Sequence, residues 1–251
     1  MRTLVVIPTY NEAESIAGLV EQVLAARQDI EALVVDDGSP DGTAEIVKKA
    51  MAGEARLHLL ERAAKEGLGA AYRAGFRWGL ARDYDALVEI DADFSHPPER
   101  LPALIDALDS ADVSIGSRYV PGGRTVGWSP ARKAISKLGN AYVRAVIGLP
   151  VRDATAGYRG FRREVLRALA VESTESNGYC FQIEMAHRAW QEGFQVAEVP
   201  ITFTERVAGT SKMHRRIVVE ALVRVTGWAL TGGRRRARVH HELSVAATGR
   251  A

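Results

Sequence analysis

Residues 87–99 read Leu87-Val88-Glu89-Ile90-Asp91-Ala92-Asp93-Phe94-Ser95-His96-Pro97-Pro98-Glu99. The apolar run before Asp91 has the length of a buried strand, and the two prolines prevent that strand from continuing in a sheet. Side chains two positions apart in an extended segment point to the same side, so Asp91 and Asp93 can present two carboxylates together. Ligands of open α/β sheets bind at this edge, and paired carboxylates suit Mg²⁺ or Mn²⁺ together with substrate phosphates. An isolated Asp-x-Asp more often caps a helix or lies in a solvated loop. Here the two aspartates follow a buried strand, and this position favours a ligand-binding site.

Short apolar runs alternate with helical patterns through the first half of the chain. Strands are predicted over residues 4–7, 32–35, 57–60, 86–90 and 113–115, and helices over 12–26, 43–51, 68–81 and 99–107. Strands separated by helices of this length form right-handed βαβ units. The sequence therefore predicts an α/β fold with a mostly parallel central sheet flanked by helices. A dinucleotide-binding fold is disfavoured, because Gly67 and Gly69 lack the third glycine of the Gly-x-Gly-x-x-Gly pattern.

The net charge of +2 is unevenly distributed along the 251 residues. From Arg206 onward, ten Lys and Arg residues stand against two Glu, which gives this part +8 and leaves −6 for residues 1–205. A basic end favours anionic partners: a phosphorylated substrate, an anionic lipid or nucleic acid. The chain has one cysteine, no apolar run long enough to span a bilayer and no signal-peptide pattern after Met1, so we expect a cytoplasmic protein.

A helix with an apolar stripe is predicted near the end of the chain, over residues 213–230. It either covers the core of the body or lies in a membrane interface, where Arg234, Arg235 and Arg236 would meet anionic headgroups. The sequence thus predicts a folded body over residues 1–212, an amphipathic helix over 213–231 and a basic, disordered tail over 232–251.

Seven motifs occur in the same order as in the polyprenol-phosphate (dolichol-phosphate) mannose synthases. They read VIPTYNE (6–12), VDDGSPDGT (35–43), DADFSHPPE (91–99), GSRY (116–119), DATAGYR (153–159), GYCFQIEM (178–185) and RVAGTSK (206–212). The chain resembles these enzymes over roughly residues 4–213. They are inverting glycosyltransferases of glycosyltransferase family 2 with the GT-A fold, so the resemblance predicts a GT-A catalytic domain over residues 1–212.

The resemblance implies transfer of mannose from GDP-mannose to a polyprenyl (dolichyl-type) monophosphate. The nucleotide sugar would contact Pro8, Tyr10, Glu12, Asp37, Asp91, Ala92, Asp93, Arg206 and Lys212. Asp91 and Asp93 would hold Mg²⁺ or Mn²⁺, with Asp93 as the principal ligand. The metal, Arg206 and Lys212 would stabilise the negative charge that develops on the leaving diphosphate. Many relatives carry glutamine where Ser95 stands, and a water molecule would replace that longer side chain here.

The acceptor phosphate would be held by Arg118, Arg132 and Ser136, again as the resemblance implies. Asp93, Arg118, Arg206 and Lys212 are the residues expected to act in catalysis. The attacking phosphate monoester has a second pKa of about 6 and is mostly dianionic near pH 7, so no side chain is needed as a base. His96 and Glu184 are therefore not assigned that role. Attack with inversion would give polyprenyl-phosphate β-mannose and GDP.

Some members of this family have transmembrane helices after the catalytic domain. For this chain we expect peripheral, salt-sensitive association with the cytoplasmic face of an anionic membrane, through the amphipathic helix and the basic tail. Two alternatives remain open. The first is a related transferase that moves glucose or another sugar onto a polyprenyl phosphate or a glycan. The second is a non-catalytic protein that binds an anionic ligand; the intact Asp91 and Asp93 argue against it, and we expect no nucleic-acid partner.

Overall fold

The computed structural model describes residues 1–174, 176, 178–205 and 222–230. The strands are β1 (Thr3–Thr9), β2 (Ile30–Asp36), β3 (Leu57–Glu61), β4 (Ala86–Glu89), β5 (Val113–Ser117), β6 (Arg124–Val126), β7 (Arg159–Arg162), β8 (Val196–Pro200) and β9 (Thr202–Thr204). The α-helices are α1 (Ile16–Ala26), α2 (Thr43–Met51), α3 (Leu68–Leu80), α4 (Leu101–Asp106), α5 (Pro130–Ile147), α6 (Arg163–Ala168) and α7 (Gly178–Gln191), followed by α8 over residues 222–230.

A seven-stranded sheet in the order β3-β2-β1-β4-β7-β5-β8 forms the centre of the described part of the chain. Its strands pair in parallel, except that β7 runs antiparallel to both β4 and β5. The prediction of a mostly parallel α/β sheet is confirmed. β7 was not predicted, because two arginines and a glycine among its four residues give no strand pattern. Close packing explains the glycine, since a Cβ on Gly160 would lie 2.6 Å from the Ser114 hydroxyl.

Helices cover both faces of the sheet and bury two apolar clusters. Alternate residues of β1 face opposite sides: Leu4 and Val6 join one cluster, and Val5 and Ile7 join the other. One cluster includes residues of α3, α5, α6 and α7, and the other includes residues of α1, α2 and α4. This two-sided burial explains why the parallel strands read as continuous apolar runs.

Helix α1 begins at Ile16, four residues after the predicted start at Glu12. Asn11 has a left-handed backbone, with φ of 60°. The backbone N–H groups of residues 11, 12 and 13 donate to the side chains of Ser39, Thr43 and Asp41, each at 3.0 Å. These bonds tie the segment after β1 to the loop after β2, so it is held against that loop and does not extend the helix.

The extended segment over residues 196–204 is divided in two strands. Its first part, β8, pairs with β5, whereas its second part, β9, pairs in parallel with β6. The Arg100 guanidinium donates to the carbonyl of Pro200 at 3.1 and 2.6 Å, at the point where the chain leaves the central sheet. β9 thereby reaches the edge at which the polar loops after β1, β2 and β4 emerge.

Residues 222–230 of the predicted C-terminal helix are helical and pack on the body. Val225 is fully buried in one apolar cluster, and Trp228 stacks on His187 with ring centroids 5.6 Å apart. On its Val225 side, this part of the helix packs against the body. Residues 213–221 and the predicted tail after residue 231 lie outside the described residues. None of the helices described is long and apolar enough to cross a bilayer.

Candidate active site

A cleft of about 460 Å³ opens at the carboxyl edge of β1, β2 and β4. The predicted site residues that line it are Pro8, Tyr10, Glu12, Asp37, Asp91, Ala92, Asp93, Arg118 and Arg132. They come from five separate segments: four follow the parallel strands β1, β2, β4 and β5, and the fifth, with Arg132, is the first turn of α5. Ser136 is not among the lining residues, and Arg206 and Lys212 lie outside the described residues.

Each of the two carboxylates after β4 accepts a hydrogen bond. The Tyr72 hydroxyl donates to Oδ1 of Asp91 at 3.3 Å, and the backbone N–H of Ser95 donates to Oδ1 of Asp93 at 3.0 Å. Directly after the pair, Phe94 adopts a left-handed backbone with φ of 58°, which turns the chain at that point. Both carboxylates line the cleft.

His96 acts as a neutral support for Asp91. Its ring is buried between Tyr158 and Phe203, with centroids 5.1 and 5.4 Å away, and burial lowers the pKa of the imidazole. The backbone N–H of Asp91 donates to Nδ1 at 3.2 Å, which requires that nitrogen to be unprotonated. The 3.7 Å approach of Nδ1 to the Asp91 carboxylate is therefore a contact between a neutral ring and a carboxylate, and His96 helps to fix the backbone that presents it.

The donor set fits a divalent cation that is shared with a ligand. Asp91 and Asp93 supply hard oxygen atoms, which Mg²⁺ and Mn²⁺ prefer. Among the described residues, no group of three or more His, Cys, Asp or Glu side chains is placed to hold a metal ion. A cation at Asp91 and Asp93 would therefore complete its coordination with water or with phosphate oxygens of a bound substrate. The buried Ser95 hydroxyl, which has no hydrogen-bond partner within the described structure, lies beside this pair.

The end of the cleft near β1 and β2 combines an aromatic ring with opposite charges. The Lys65 ammonium lies 3.8 Å from the centroid of the Tyr10 ring, a cation–π contact. The Arg62 guanidinium donates to Asp37 at 2.7 Å. Burial raises the pKa of the Asp37 carboxyl, and the Arg62 charge opposes this increase. This end of the cleft therefore offers a ligand both an aromatic ring and charged groups.

The opposite end of the cleft carries a buried cation. Arg118 is only 6% exposed, and its backbone N–H, Nε and Nη2 all donate to Asp153, at 2.9, 2.7 and 2.5 Å. Nη2 also donates to Thr155 at 2.9 Å. The rings of Tyr119, Trp128 and Phe203 surround the guanidinium, with centroids 5.2 to 5.5 Å from its carbon atom. The cation is therefore fixed in place at this end of the cleft.

Arg132, in the first turn of α5, stands near this position and already has a partner. It pairs with Glu205, which follows β9, and its guanidinium lies 4.2 Å from the centroid of the Trp128 ring. One turn further along α5, the Ser136 hydroxyl accepts a hydrogen bond from Tyr119 at 2.6 Å. An anion that enters the cleft would compete with Glu205 for Arg132.

A buried arginine below the cleft holds the segment 153–157 in place. The Arg159 guanidinium donates to the carbonyls of Ala154, Ala156 and Gln182, each at 2.7 Å. Burial lowers the Arg159 pKa to about 10 and raises that of the neighbouring Glu89 to about 8. The charge of each group opposes the shift in the pKa of the other.

Several residues of this site received no role from the sequence. They are Arg62, Lys65, Asp153, Arg159 and Glu205. Asp153 and Arg159 belong to a motif that was noted, but only the folded chain reveals that they support Arg118 and the segment 153–157. Lys65 and Glu205 lie in loops, where charged residues are usual and give no signal of their own.

Comparisons with known proteins agree on a single family. The glycosyl transferase family 2 model matches residues 4–170. The chain is 52% identical over 239 residues to the polyprenol monophosphomannose synthase of Mycolicibacterium smegmatis, covering 94% of this chain and 90% of that protein. It is 51% identical over 230 residues to the undecaprenyl-phosphate mannosyltransferase of Micrococcus luteus, covering 92% and 95% respectively.

Solved structures share the fold at much lower identity. Glucosyl-3-phosphoglycerate synthase from Mycobacterium tuberculosis, in complex with phosphoglyceric acid, matches with a TM-score of 0.68 and 19% identity, over 90% of this chain and 80% of that chain. A mannosyltransferase from Pyrobaculum calidifontis, in complex with GDP-Man and Mn²⁺, matches with a TM-score of 0.56 and 17% identity, over 98% and 80%. At these identities the likeness supports the GT-A fold alone.

Proposed function

The chain belongs to glycosyl transferase family 2, and from that membership we propose that it transfers mannose from GDP-mannose to a polyprenyl monophosphate. The observation that carries the proposal is the 51–52% identity, over nearly the whole chain, to two proteins named for mannose transfer to polyprenyl phosphates. The cleft supports the proposal, because its lining combines the carboxylates of Asp91 and Asp93 with the separate, buried Arg118. One end suits a nucleotide sugar with its metal, and the other suits a phosphate acceptor.

For the donor, we assign Pro8, Tyr10, Glu12 and Asp37 to the nucleotide, with Asp91 and Ala92 near the sugar diphosphate. Asp91 and Asp93 would hold Mg²⁺ or Mn²⁺, which would neutralise charge on the leaving diphosphate. The P. calidifontis mannosyltransferase in complex with GDP-Man and Mn²⁺ is consistent with this assignment. Arg206 and Lys212, in the motif that follows Glu205, are proposed to contact the same diphosphate.

For the acceptor, we assign the phosphate to Arg118 and Arg132, with Ser136 nearby. Arg118 would orient the phosphate without cancelling its charge, since Asp153 already balances the guanidinium. An acceptor mostly dianionic at neutral pH needs no base, which fits the neutral His96 at this site. One acceptor oxygen attacks the anomeric carbon from the face opposite to the diphosphate, which leaves with the bonding electrons. The product is a β-linked mannosyl phospholipid.

We further propose that the enzyme works as a peripheral protein at the cytoplasmic face of a membrane, where a polyprenyl phosphate would be embedded. The acceptor supports this placement, because a long prenyl chain stays in a bilayer while its phosphate reaches the surface. Nucleic acid is not proposed as a partner.

The direct test combines the purified full-length chain with labelled GDP-mannose, Mg²⁺ or Mn²⁺ and polyprenyl phosphate, followed by extraction with organic solvent. Label is expected in the organic phase, and it should be lost with EDTA and in Asp93→Asn. Asp109→Asn, at an exposed position outside the cleft lining, is the matched control and should retain activity. Label that stays in the aqueous phase with folded protein contradicts the proposal.

A further inference from the structure

Two buried N–H groups beside the Arg118 end of the cleft have no hydrogen-bond partner within the described structure. They are Nε1 of Trp128, a residue only 8% exposed, and Nε of Arg132. Buried N–H groups in folded proteins are almost always paired, and the indole N–H of a buried tryptophan usually finds an acceptor. Two unpaired donors on neighbouring side chains therefore indicate a ligand that supplies the missing acceptor atoms.

Trp128 is the common neighbour of the two arginines assigned to the acceptor phosphate. The centre of its ring lies 4.2 Å from the guanidinium carbon of Arg132 and 5.2 Å from that of Arg118. Phe203 packs edge-on against the same ring, with centroids 5.4 Å apart. Both arginines line the cleft, so the tryptophan directly supports the two positive side chains at which an anion would bind.

The start of α5 adds a further preference for negative charge. Ser129, which directly follows Trp128, caps this helix by accepting the backbone N–H of Arg132 at 3.3 Å. Pro130 comes next, and no acidic residue lies in the first turn. Because the N-terminus of a helix attracts anions, the helix and the Arg132 charge favour the same kind of ligand.

In the described structure, Glu205 supplies a negative charge at this point. Its carboxylate pairs with Arg132, and its backbone N–H donates to the carbonyl of Val126 at 2.9 Å. Gly127 makes room for it, because a Cβ there would lie 2.9 Å from Cβ of Glu205. The two carboxylate oxygens leave the donors on Trp128 and Arg132 unpaired. A phosphate monoester has three terminal oxygens, so it can replace Glu205 and satisfy these donors as well.

We propose that the indole N–H of Trp128 donates a hydrogen bond to the acceptor phosphate, which takes the place of Glu205 beside Arg132. The identity of this phosphate rests on the proposed function. A neutral donor fixes the direction of one phosphate oxygen without adding positive charge, so the dianion keeps its nucleophilic character. With one oxygen held in this way, another is left to attack the anomeric carbon. Trp128 is thus a further residue of the acceptor site.

The indole N–H signals of the chain test this contact by NMR without any turnover. The full-length protein has four tryptophans, Trp78, Trp128, Trp190 and Trp228, and isotope labelling of nitrogen gives one indole signal for each. The signal that is absent from Trp128→Phe identifies Trp128. Titration with geranyl phosphate, a short water-soluble acceptor, should move this signal downfield to saturation. Geraniol, which lacks the phosphate, should leave it in place, and Trp78, outside the cleft lining, is the internal control.

Binding affinity separates the N–H group from the ring that carries it. Trp128→Phe keeps an aromatic ring beside both arginines and removes the donor. It should weaken the binding of geranyl phosphate by roughly ten-fold, the effect of losing one hydrogen bond to a charged group, and leave the affinity for GDP-mannose unchanged. Trp78→Phe removes the same N–H group outside the cleft lining and should bind both ligands as the parent chain does.

Four results would overturn the proposal. The first is a Trp128 signal that stays in place while geranyl phosphate binds, or that moves equally with geraniol. The second is an unchanged affinity of Trp128→Phe for geranyl phosphate. The third is an equal loss of affinity for GDP-mannose in this variant, because the tryptophan would then have a structural role. The fourth is a parent chain that does not bind geranyl phosphate.

A turnover assay separates this inference from the proposed function. In Trp128→Phe, the KM for the polyprenyl phosphate should rise about ten-fold, while kcat and the KM for GDP-mannose stay nearly unchanged. If mannose is transferred and the acceptor KM of this variant equals that of the parent chain, the proposed function stands and the assignment of Trp128 fails. If no mannose is transferred, but geranyl phosphate still moves the Trp128 signal, the proposed function fails and the phosphate site stands.

Discussion

Arg118 and Asp153 form a buried ion pair in which the carboxylate accepts from both the backbone N–H and the guanidinium of the arginine. Asp153 is fully buried, and its own N–H, like that of Arg152, donates to Glu198, at 3.0 and 2.8 Å respectively. The pair therefore joins the cation after β5 to the segment before β7 and to β8. This pairing fixes the position of the Arg118 guanidinium in the cleft that Asp91 and Asp93 also line.

Removing Asp153 should destabilise the fold, because it leaves the Arg118 charge buried and uncompensated. Asp153→Ala is expected to lower the free energy of unfolding by about 3–5 kcal/mol. Chemical denaturation measures this change, with Asp109→Ala at an exposed position as the control. A loss below about 1 kcal/mol, the range of an exposed pair, would mean that solvent reaches Arg118 more freely than the structure indicates.

Neutralising Glu205 should strengthen acceptor binding. Glu205 pairs with Arg132 in a partly exposed contact, and a phosphate must displace it. Glu205→Gln is expected to lower the KM for the polyprenyl phosphate by roughly two- to five-fold, with kcat little changed. Steady-state kinetics with the exposed Glu192→Gln as control provides the measurement. A higher KM in Glu205→Gln would show that Glu205 assists the acceptor instead of competing with it.

His187 should make stability fall as the solution is acidified. Burial lowers its pKa from 6.5 to about 4, and the charge of Arg188 acts in the same direction. Between these two pKa values the unfolded chain binds more protons than the folded chain, so protons favour unfolding. Between pH 7 and pH 5, the pKa shift of His187 should therefore lower the free energy of unfolding by about 2 kcal/mol. The stability advantage of the parent chain over His187→Gln should shrink by that amount; an advantage independent of pH contradicts the assignment.

Gly75 should not tolerate a side chain, because α3 packs directly on the sheet there. A Cβ at Gly75 would lie 2.4 Å from a methyl carbon of Val6. Gly75→Ala is expected to destabilise the protein by about 1–3 kcal/mol. Gly139→Ala is the matched control, since nothing lies within 4 Å of its Cβ, and it should be neutral or stabilising. The measurement is the stability of both variants relative to the parent chain, by thermal or chemical unfolding. Equal stability of the two variants would mean that α3 can move away from Val6.

Much of the site could be predicted because the parallel strands are apolar runs that end in distinctive polar residues. The carboxyl ends of such strands share an edge, so the order of strands and helices along the chain is enough to place Tyr10, Asp37 and Asp91 together. The resemblance to a family then added Arg118 and Arg132, which also line the cleft.

Other features depend on contacts between distant residues and left no local pattern. β7 exists because β4 and β5 both offer it backbone partners, although its own sequence is charged. Arg124, Lys137 and Arg152 line one concave surface, although they are far apart along the chain and look individually like ordinary surface residues. The predicted membrane contact through the amphipathic helix and the basic tail stays a prediction, because most of these residues lie outside the described ones.

One experiment checks whether this family 2 glycosyltransferase uses GDP-mannose and a lipid phosphate, as proposed. Labelled GDP-mannose and labelled UDP-glucose are offered side by side, with the same polyprenyl phosphate and divalent cation. We expect a labelled lipid from GDP-mannose only, with the mannose shown to be β-linked by the one-bond C1–H1 coupling in its NMR spectrum. A lipid labelled only from UDP-glucose, or an α-linked mannosyl lipid, would show that the proposed reaction is wrong.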